Sequence, residues 1–390
     1  MKSLRTFRLE EFLGKWELSV RYHLTASDAQ SMTIEELLSM GSDEDREGFM
    51  RLPLTYIDSW GSESLREAIA GTYEHVDTAH VLAFTGAEEA LYWAVQELVG
   101  PGDHAVVTVP CYQSMETVTL ATGAAVSPLL MHRENGWALD LGELRGLLRP
   151  TTKLVAVNYP NNPTGHVPSR ETFRDLAALC DERGIRLFCD EVYRGLEVDE
   201  ARTLPQAADL SETAVSLNVA SKSYGLPGLR VGWLACRDRA LLERLEKRKH
   251  YTTICNPGPA EYLAAIGLRN RERIWARNRG IIAANLPLFD DFFTRWTELF
   301  DWEPPMGGCV CFPRYKGGDV EDFCRRLLTK EGVLVLPASI YYSEIADTPI
   351  DHFRVGLGRL GLEPGLEAFE RFLREGQARE GAPARRVLSR

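Results

Sequence analysis

The chain has 390 residues, 44% of them hydrophobic and 26% charged, with 32 Gly, 20 Pro and 8 Cys. That composition belongs to a globular protein with room for two or three cores, and it excludes a mini-protein that needs disulfides or metals to fold. Its 45 Lys+Arg against 56 Asp+Glu leave a net charge of −11, a balance that repels a nucleic-acid backbone unless basic groups gather on one face.

The start, Met1-Lys-Ser-Leu-Arg-Thr-Phe-Arg, is charged and lacks the apolar run of a secretory signal. No stretch approaches the roughly 18 uncharged apolar residues of a membrane span. A cytoplasmic protein with no membrane partner is expected. Residues 1–55 read as helical and irregular. From Val81 to Cys236 one pattern recurs: a short β-rich apolar run, a turn, then a helical stretch. The runs begin at Val81, Ala105, Ala125, Lys153, Arg186, Ala214 and Arg230. Being apolar continuously rather than alternately, most of them suit a mainly parallel seven-stranded sheet covered by helices on both faces. Helical spacing is expected over Gly86–Leu98, Ser169–Arg183 and Arg239–Lys249. Beyond about residue 285, helices alternate with short strands such as those around Cys309–Phe312 and His352–Leu357.

These patterns predict an α/β protein with a large domain over residues 56–285. A smaller α+β domain is expected from residues 286–375, joined by the N-terminal segment 1–55. Residues 376–390, aperiodic and rich in Arg, Ala and Gly, are expected to form a disordered tail. The eight cysteines lie mostly in apolar runs without a CxxC pair, so buried reduced thiols are expected and no metal site.

In open α/β sheets, ligands bind outside the carboxyl ends of the strands. After the first run comes Thr85-Gly86-Ala87-Glu88-Glu89, a small-residue turn whose free N–H groups suit an anion. After the second comes Pro110-Cys111-Tyr112, and after the fourth Asn158-Tyr159-Pro160-Asn161-Asn162-Pro163-Thr164-Gly165, whose prolines impose an extended, amide-bearing loop. The fifth ends in Asp190-Glu191-Val192-Tyr193, where an unpaired carboxylate would be costly. After the sixth lies Ser221-Lys222-Ser223-Tyr224-Gly225-Leu226-Pro227-Gly228-Leu229-Arg230, an amine nucleophile followed by an anion clamp. Singly, each has a structural alternative: a tight turn, a packed ring, an N-cap Asp, a solvated Lys. Their succession at consecutive strand ends favours a single ligand site.

Asn161-Asn-Pro-Thr-Gly165, Asp190-Glu-Val-Tyr193 and Ser221-Lys-Ser-Tyr-Gly-Leu-Pro-Gly-Leu-Arg230 resemble the signatures of the class I/II aminotransferases, the fold-type I pyridoxal-phosphate enzymes. The resemblance runs over about residues 50–360. It implies a pyridoxal 5′-phosphate cofactor held as a Schiff base on Lys222, which later moves a proton between Cα and the cofactor. By the same likeness Asp190 would pair with the pyridine nitrogen, while Asn162 and Tyr193 would bond the ring oxygen. Asn158 would support them, Tyr112 would stack on the ring, and Gly86, Ala87, Glu88, Ser221 and Arg230 would line the phosphate. Arg354 would grip the substrate α-carboxylate beside Asn162. Tyr56 matches a Tyr that reaches the neighbouring subunit's phosphate, which implies a homodimer with shared sites. The reaction implied is amino transfer from an L-amino acid to a 2-oxo acid.

Departures from the family pattern bear on the reaction. Relatives carry a small hydroxyl residue three positions before the Lys, where Val219 stands here, which shifts phosphate anchoring to Ser221, Ser223 and Arg230. They also read Gly-x-Pro at the end of an apolar N-terminal run, where this chain has the polar segment Trp16–Gln30. Its Arg-Tyr-His-Leu-Thr-Ala-Ser-Asp stretch is similar to capreomycidine synthase-like enzymes, which share the fold but perform elimination and ring closure on arginine-derived substrates. That gives a second expectation, lyase or cyclase chemistry. His23, Asp28 and Trp60 are candidate pocket residues with structural alternatives. No second Arg stands out as a clamp for a dicarboxylic side chain, although Arg359 could substitute for Arg354. A ligand sensor on the same fold, the third class, would need an added DNA-binding domain.

Overall fold

Seven strands form the central sheet: β1 (Val81–Phe84), β2 (His104–Val109), β3 (Ala125–Leu130), β4 (Thr152–Asn158), β5 (Arg186–Asp190), β6 (Val215–Val219) and β7 (Gly232–Ala235). The computed structural model describes residues 4–380. The spatial order is β1-β7-β6-β5-β4-β2-β3. Only β7 runs antiparallel to its neighbours, and the remaining pairs are parallel. Every residue of β1, β2, β6 and β7 is buried, as expected of strands covered on both faces. The edge strand β3 departs most from this: it is partly exposed and carries Pro128, whose missing N–H is tolerated where no further strand must be paired.

The expected helices follow. Ala87–Leu98 starts directly after Gly86. Arg170–Glu182 is capped by Ser169, which accepts from Thr172 N at 3.0 Å. Arg239–Lys249 is capped by Asp238, which accepts from Leu241 N at 3.1 Å. Side-chain oxygens at these positions satisfy N–H groups that the first helical turn leaves free.

The other elements lie toward the chain ends. Val310–Cys311, Phe353–Gly356 and Leu336–Pro337 form a three-stranded antiparallel sheet with Phe353–Gly356 in the middle. Tyr22–His23 pairs in parallel with Val333–Leu334, so the two ends of the chain meet through backbone bonds. That pairing supports the proposed smaller domain. Its proposed boundary at 285/286 falls inside the helix Arg271–Arg295, close to Pro287. Phe292, Phe293, Phe300, Phe323, Phe353 and Phe369 pack into one aromatic cluster beneath these strands.

The tail requires a correction. The last helix runs Glu363–Glu380, so Gly376–Glu380 continue it rather than starting an aperiodic segment; residues 381–390 lie outside the described residues. Of the cysteines, Cys255 is half-buried and the other seven are buried, and all are free thiols.

Candidate active site

Chain order reverses between β2 and β4: β3 lies outward of β2 on one side, and β5 and β6 follow β4 on the other. Such a switch point opens a crevice at the carboxyl ends of the strands. Asn158 and Asp190 sit opposite each other at the ends of β4 and β5. Asn158 Nδ2 donates to Asp190 O at 3.0 Å, while its Oδ1 accepts from Asn162 N at 2.7 Å. One side chain thus fixes both the strand end and the Asn/Pro loop. Asn161 Nδ2 reaches back to Pro110 O at 3.5 Å, tying that loop to the end of β2.

Asp190 is buried, with Oδ1 accepting from Val192 N at 3.1 Å. Burial lifts its carboxyl from the usual range to about 7, against the opposing pull of that N–H and of Lys222. Tyr193 is 1% exposed, with its phenol near the Ser27 hydroxyl. Burial pushes this phenol well up, with Arg354 acting in the opposite direction. Gly308, at φ +80°, makes room for the ring, since a Cβ there would stand 3.3 Å from it.

Lys222 lies in the loop after β6. Its Nζ donates to Ser27 Oγ at 2.9 Å, across 195 positions of sequence. Desolvation lowers the amine's pKa, opposed chiefly by the Asp28 carboxylate.

Arg354, on the middle strand Phe353–Gly356, is 1% exposed. Its Nη2 donates to Thr25 O at 2.8 Å, Nε to Thr25 Oγ1 at 3.3 Å and Nη1 to Asn162 Oδ1 at 3.3 Å. Tyr341 Oη donates to the same Asn162 oxygen at 3.3 Å, and the guanidinium lies 5.9 Å from the Tyr341 ring centroid. All these partners are neutral. Arg359 is committed elsewhere: its Nη2 meets Asp28 Oδ2 at 2.6 Å.

At the other end, Gly86 has φ +89° and a Cβ on it would stand 2.7 Å from Arg230 Nη2. Gly232 is equally constrained, since its Cβ would fall 2.6 Å from the carbonyl carbon of Gly86. Arg230 Nη1 donates to Ser221 Oγ at 3.5 Å, and the Thr85 and Ser223 hydroxyls are buried without partners among the described residues. Val219 is buried in the core of the sheet. Glu88 hydrogen-bonds Ser114, and burial raises its carboxyl's pKa. Tyr112 packs edge-on against Phe7 at 5.3 Å between centroids. Burial raises its phenol too, with Glu88 adding to the shift.

The strand-end candidates therefore converge, with Tyr56 as the exception. Its side chain is 88% exposed on this single chain. Trp60 is covered by Arg239, whose guanidinium lies 4.8 Å from its ring, and His23 stands 3.6 Å from Glu17. A cavity of about 660 Å³ lined by Met131, Arg133, Arg314, Asp351 and His352 touches none of Lys222, Asp190 or Arg354. Thr25, Ser27 and Tyr341 join the candidate site through these hydrogen bonds. The polar replacement of Gly-x-Pro was the available signal for the first two. Tyr341 had none.

Residues 25–360 match the model of the family described as aminotransferase class I and II. The chain belongs to that family. Pyridoxal phosphate is the family's cofactor and hence this chain's. A capreomycidine synthase of Streptomyces vinaceus is 31% identical over 366 residues, covering 92% of both chains. An arginine–pyruvate transaminase of Pseudomonas aeruginosa is 32% identical over 323 residues, 81% of each. Among solved structures, a PLP-dependent aminotransferase from Streptococcus suis superposes with a TM-score of 0.88 at 30% identity, covering 96% of this chain and 98% of that one. No described helix is long and apolar enough to cross a membrane.

Proposed function

We propose that the chain is a pyridoxal-phosphate-dependent aminotransferase that exchanges an amino group between an L-amino acid and a 2-oxo acid. The carrying observation is Arg354, a buried guanidinium bonded only to neutral oxygens, with no carboxylate at ion-pair distance among the described residues. A buried charge left without a counter-ion is costly, and a substrate α-carboxylate taken up bidentately would neutralise it.

The cofactor's fit is supported at both ends of the crevice. The Gly86 turn, Ser221 and Arg230 form a cradle of glycine backbone, hydroxyl and guanidinium that suits a phosphate. Asp190, buried and raised to about 7, suits a protonated pyridine nitrogen, and the buried Tyr193 phenol suits the ring oxygen. When bound, the cofactor supplies an electron-withdrawing ring that acidifies the substrate Cα–H. Lys222 attaches it through an amine whose lowered pKa favours the neutral, nucleophilic form, and the same Nζ then carries the proton at Cα. Arg354 and Asn162 orient the substrate so that this proton faces Lys222.

Tyr56, exposed near Met50 and Leu54, supports a homodimer in which each chain lends this phenol to its partner's phosphate. Single-turnover spectroscopy tests the reaction: an amino acid alone should remove the visible absorbance of the lysine-bound cofactor and yield its amine form. Failure with every donor would remove amino transfer.

The second reading, elimination or cyclisation on an arginine-derived side chain, draws on the polar run Thr25–Asp28 and on the likeness to capreomycidine synthase. Mass spectrometry with β-hydroxylated amino acids separates the two. Elimination releases water without net transfer of nitrogen.

A further inference from the structure

The segment from Leu24 to Gln30 is fixed on both sides. Leu24 N donates to Leu334 O at 3.1 Å and Leu24 O accepts from Gly356 N at 2.9 Å. Farther along, Gln30 N donates to Gly358 O at 2.7 Å, and Ala29 N donates to Lys222 O at 3.3 Å. Thr25 is held by Arg354, and Asp28 by Arg359. Between these anchors Ser27 has little freedom, and its hydroxyl is directed at Lys222 Nζ, 2.9 Å away. The hydroxyl lies in the polar segment Trp16–Gln30, which stands where relatives carry an apolar run ending in Gly-x-Pro.

We infer that Ser27 is a positioning residue for Lys222, whose oxygen holds the amine in place after the substrate has displaced it from the cofactor. This rests on the assignment of Lys222 made above. The step moves one proton and changes no bond of Ser27. Neutral Nζ would take the proton from the substrate Cα and become an ammonium, Ser27 Oγ would accept one of its N–H groups, and Nζ would give up the same proton again to return to the neutral amine. An oxygen acceptor at this distance favours the ammonium. The charged and titratable groups facing the amine are Asp28 on the same segment, Asp190 at the end of β5, and Arg354 and Cys309 near the small sheet, while the Tyr193 phenol faces Ser27. None of them is a hydrogen-bond partner of Nζ, whereas Ser27 is.

The test uses Ser27→Ala, Ser27→Gly and Ser27→Thr. The first readout is the rate at which the cofactor-stripped chain takes up pyridoxal phosphate as a function of pH, because uptake needs the neutral amine. The pH midpoint should fall by about half a unit or more in Ser27→Ala and Ser27→Gly and return in Ser27→Thr. The second readout is turnover of a Cα-deuterated donor. In the two variants without a hydroxyl, kcat should fall about tenfold with KM within about twofold, and the isotope effect should rise as proton transfer becomes slower. An unchanged midpoint and isotope effect in Ala and Gly, or equal losses in Thr, would overturn the inference. If the wild-type chain takes up no pyridoxal phosphate, the assignment of Lys222 itself falls, an outcome distinct from failure of Ser27 alone.

Discussion

Arg354 presents its guanidinium to two carbonyl-type oxygens and one hydroxyl, so the incoming carboxylate must displace weak neutral contacts to form charge-assisted ones. A lysine there keeps the charge and loses the fork. Arg354→Lys should raise KM for the amino donor by about a hundredfold, the cost of one bidentate pair, and leave cofactor uptake intact. Steady-state kinetics with one donor suffices to check it. Asp190→Asn removes the carboxylate that would keep the ring nitrogen protonated, so kcat should fall by about a hundredfold or more while the lysine-bound absorbance persists. Lys222, Asp190, Asn162, Tyr193 and Arg230 were legible because local motifs place them at strand ends. Ser27, Thr25 and Tyr341 were not, because their roles depend on contacts spanning 195, 329 and 179 positions respectively, which no spacing encodes.

At the level of elements, the segment Leu24–Gln30 lies against two glycines that leave it room. A Cβ on Gly356 would fall 2.1 Å from Ala26 O, and one on Gly358 2.6 Å from Asp28 O. Neither carries a positive φ, so the requirement is for space alone. Gly356→Ala should displace the segment, lower stability by about 1–3 kcal/mol as overpacking does, and raise KM through Thr25 and Arg354. Denaturant titration and donor kinetics together would show it; a variant with wild-type KM would contradict the placement. The seven strands of the sheet were legible from continuous apolar runs. Two-residue strands such as Tyr22–His23 were not, since such a short pairing has no periodicity of its own. The last helix continues through Gly376 because Glu363–Leu373 had already established its packing, which overrides one glycine's propensity.

Across the whole molecule, burial moves titratable groups in both directions. Asp190 and Glu191 are raised to about 7, so the cofactor-free fold binds protons that the unfolded chain has released. Their contribution to stability is present at low pH and is lost as pH rises through about 7. His166 and His352 are lowered to about 4 by burial, so theirs is present above the unfolded value and lost as pH falls toward 4. These two trends oppose each other between about pH 4 and 7 and largely cancel, so urea midpoints of the stripped protein should change little across that range. A pyridinium paired with Asp190 would cancel that residue's loss. The stabilisation given by the cofactor should accordingly grow between about pH 5 and 8, and flatten in Asp190→Asn. A flat wild-type difference would count against the pairing.

The backbone bonds between Leu24 and Leu334 and between Gln30 and Gly358 have a consequence for how the protein is made. On the ribosome, Ser27 emerges well before its neighbours on the small sheet, which lie far later in the chain. All seven strands of the central sheet can leave the exit tunnel before Leu334 is synthesised. The crevice can therefore take shape, with Lys222 in it, while Thr25 and Ser27 still wait for their supports. A nascent chain stalled before Val333 should capture the cofactor yet turn over no substrate, because completion of the site waits for synthesis of the small sheet.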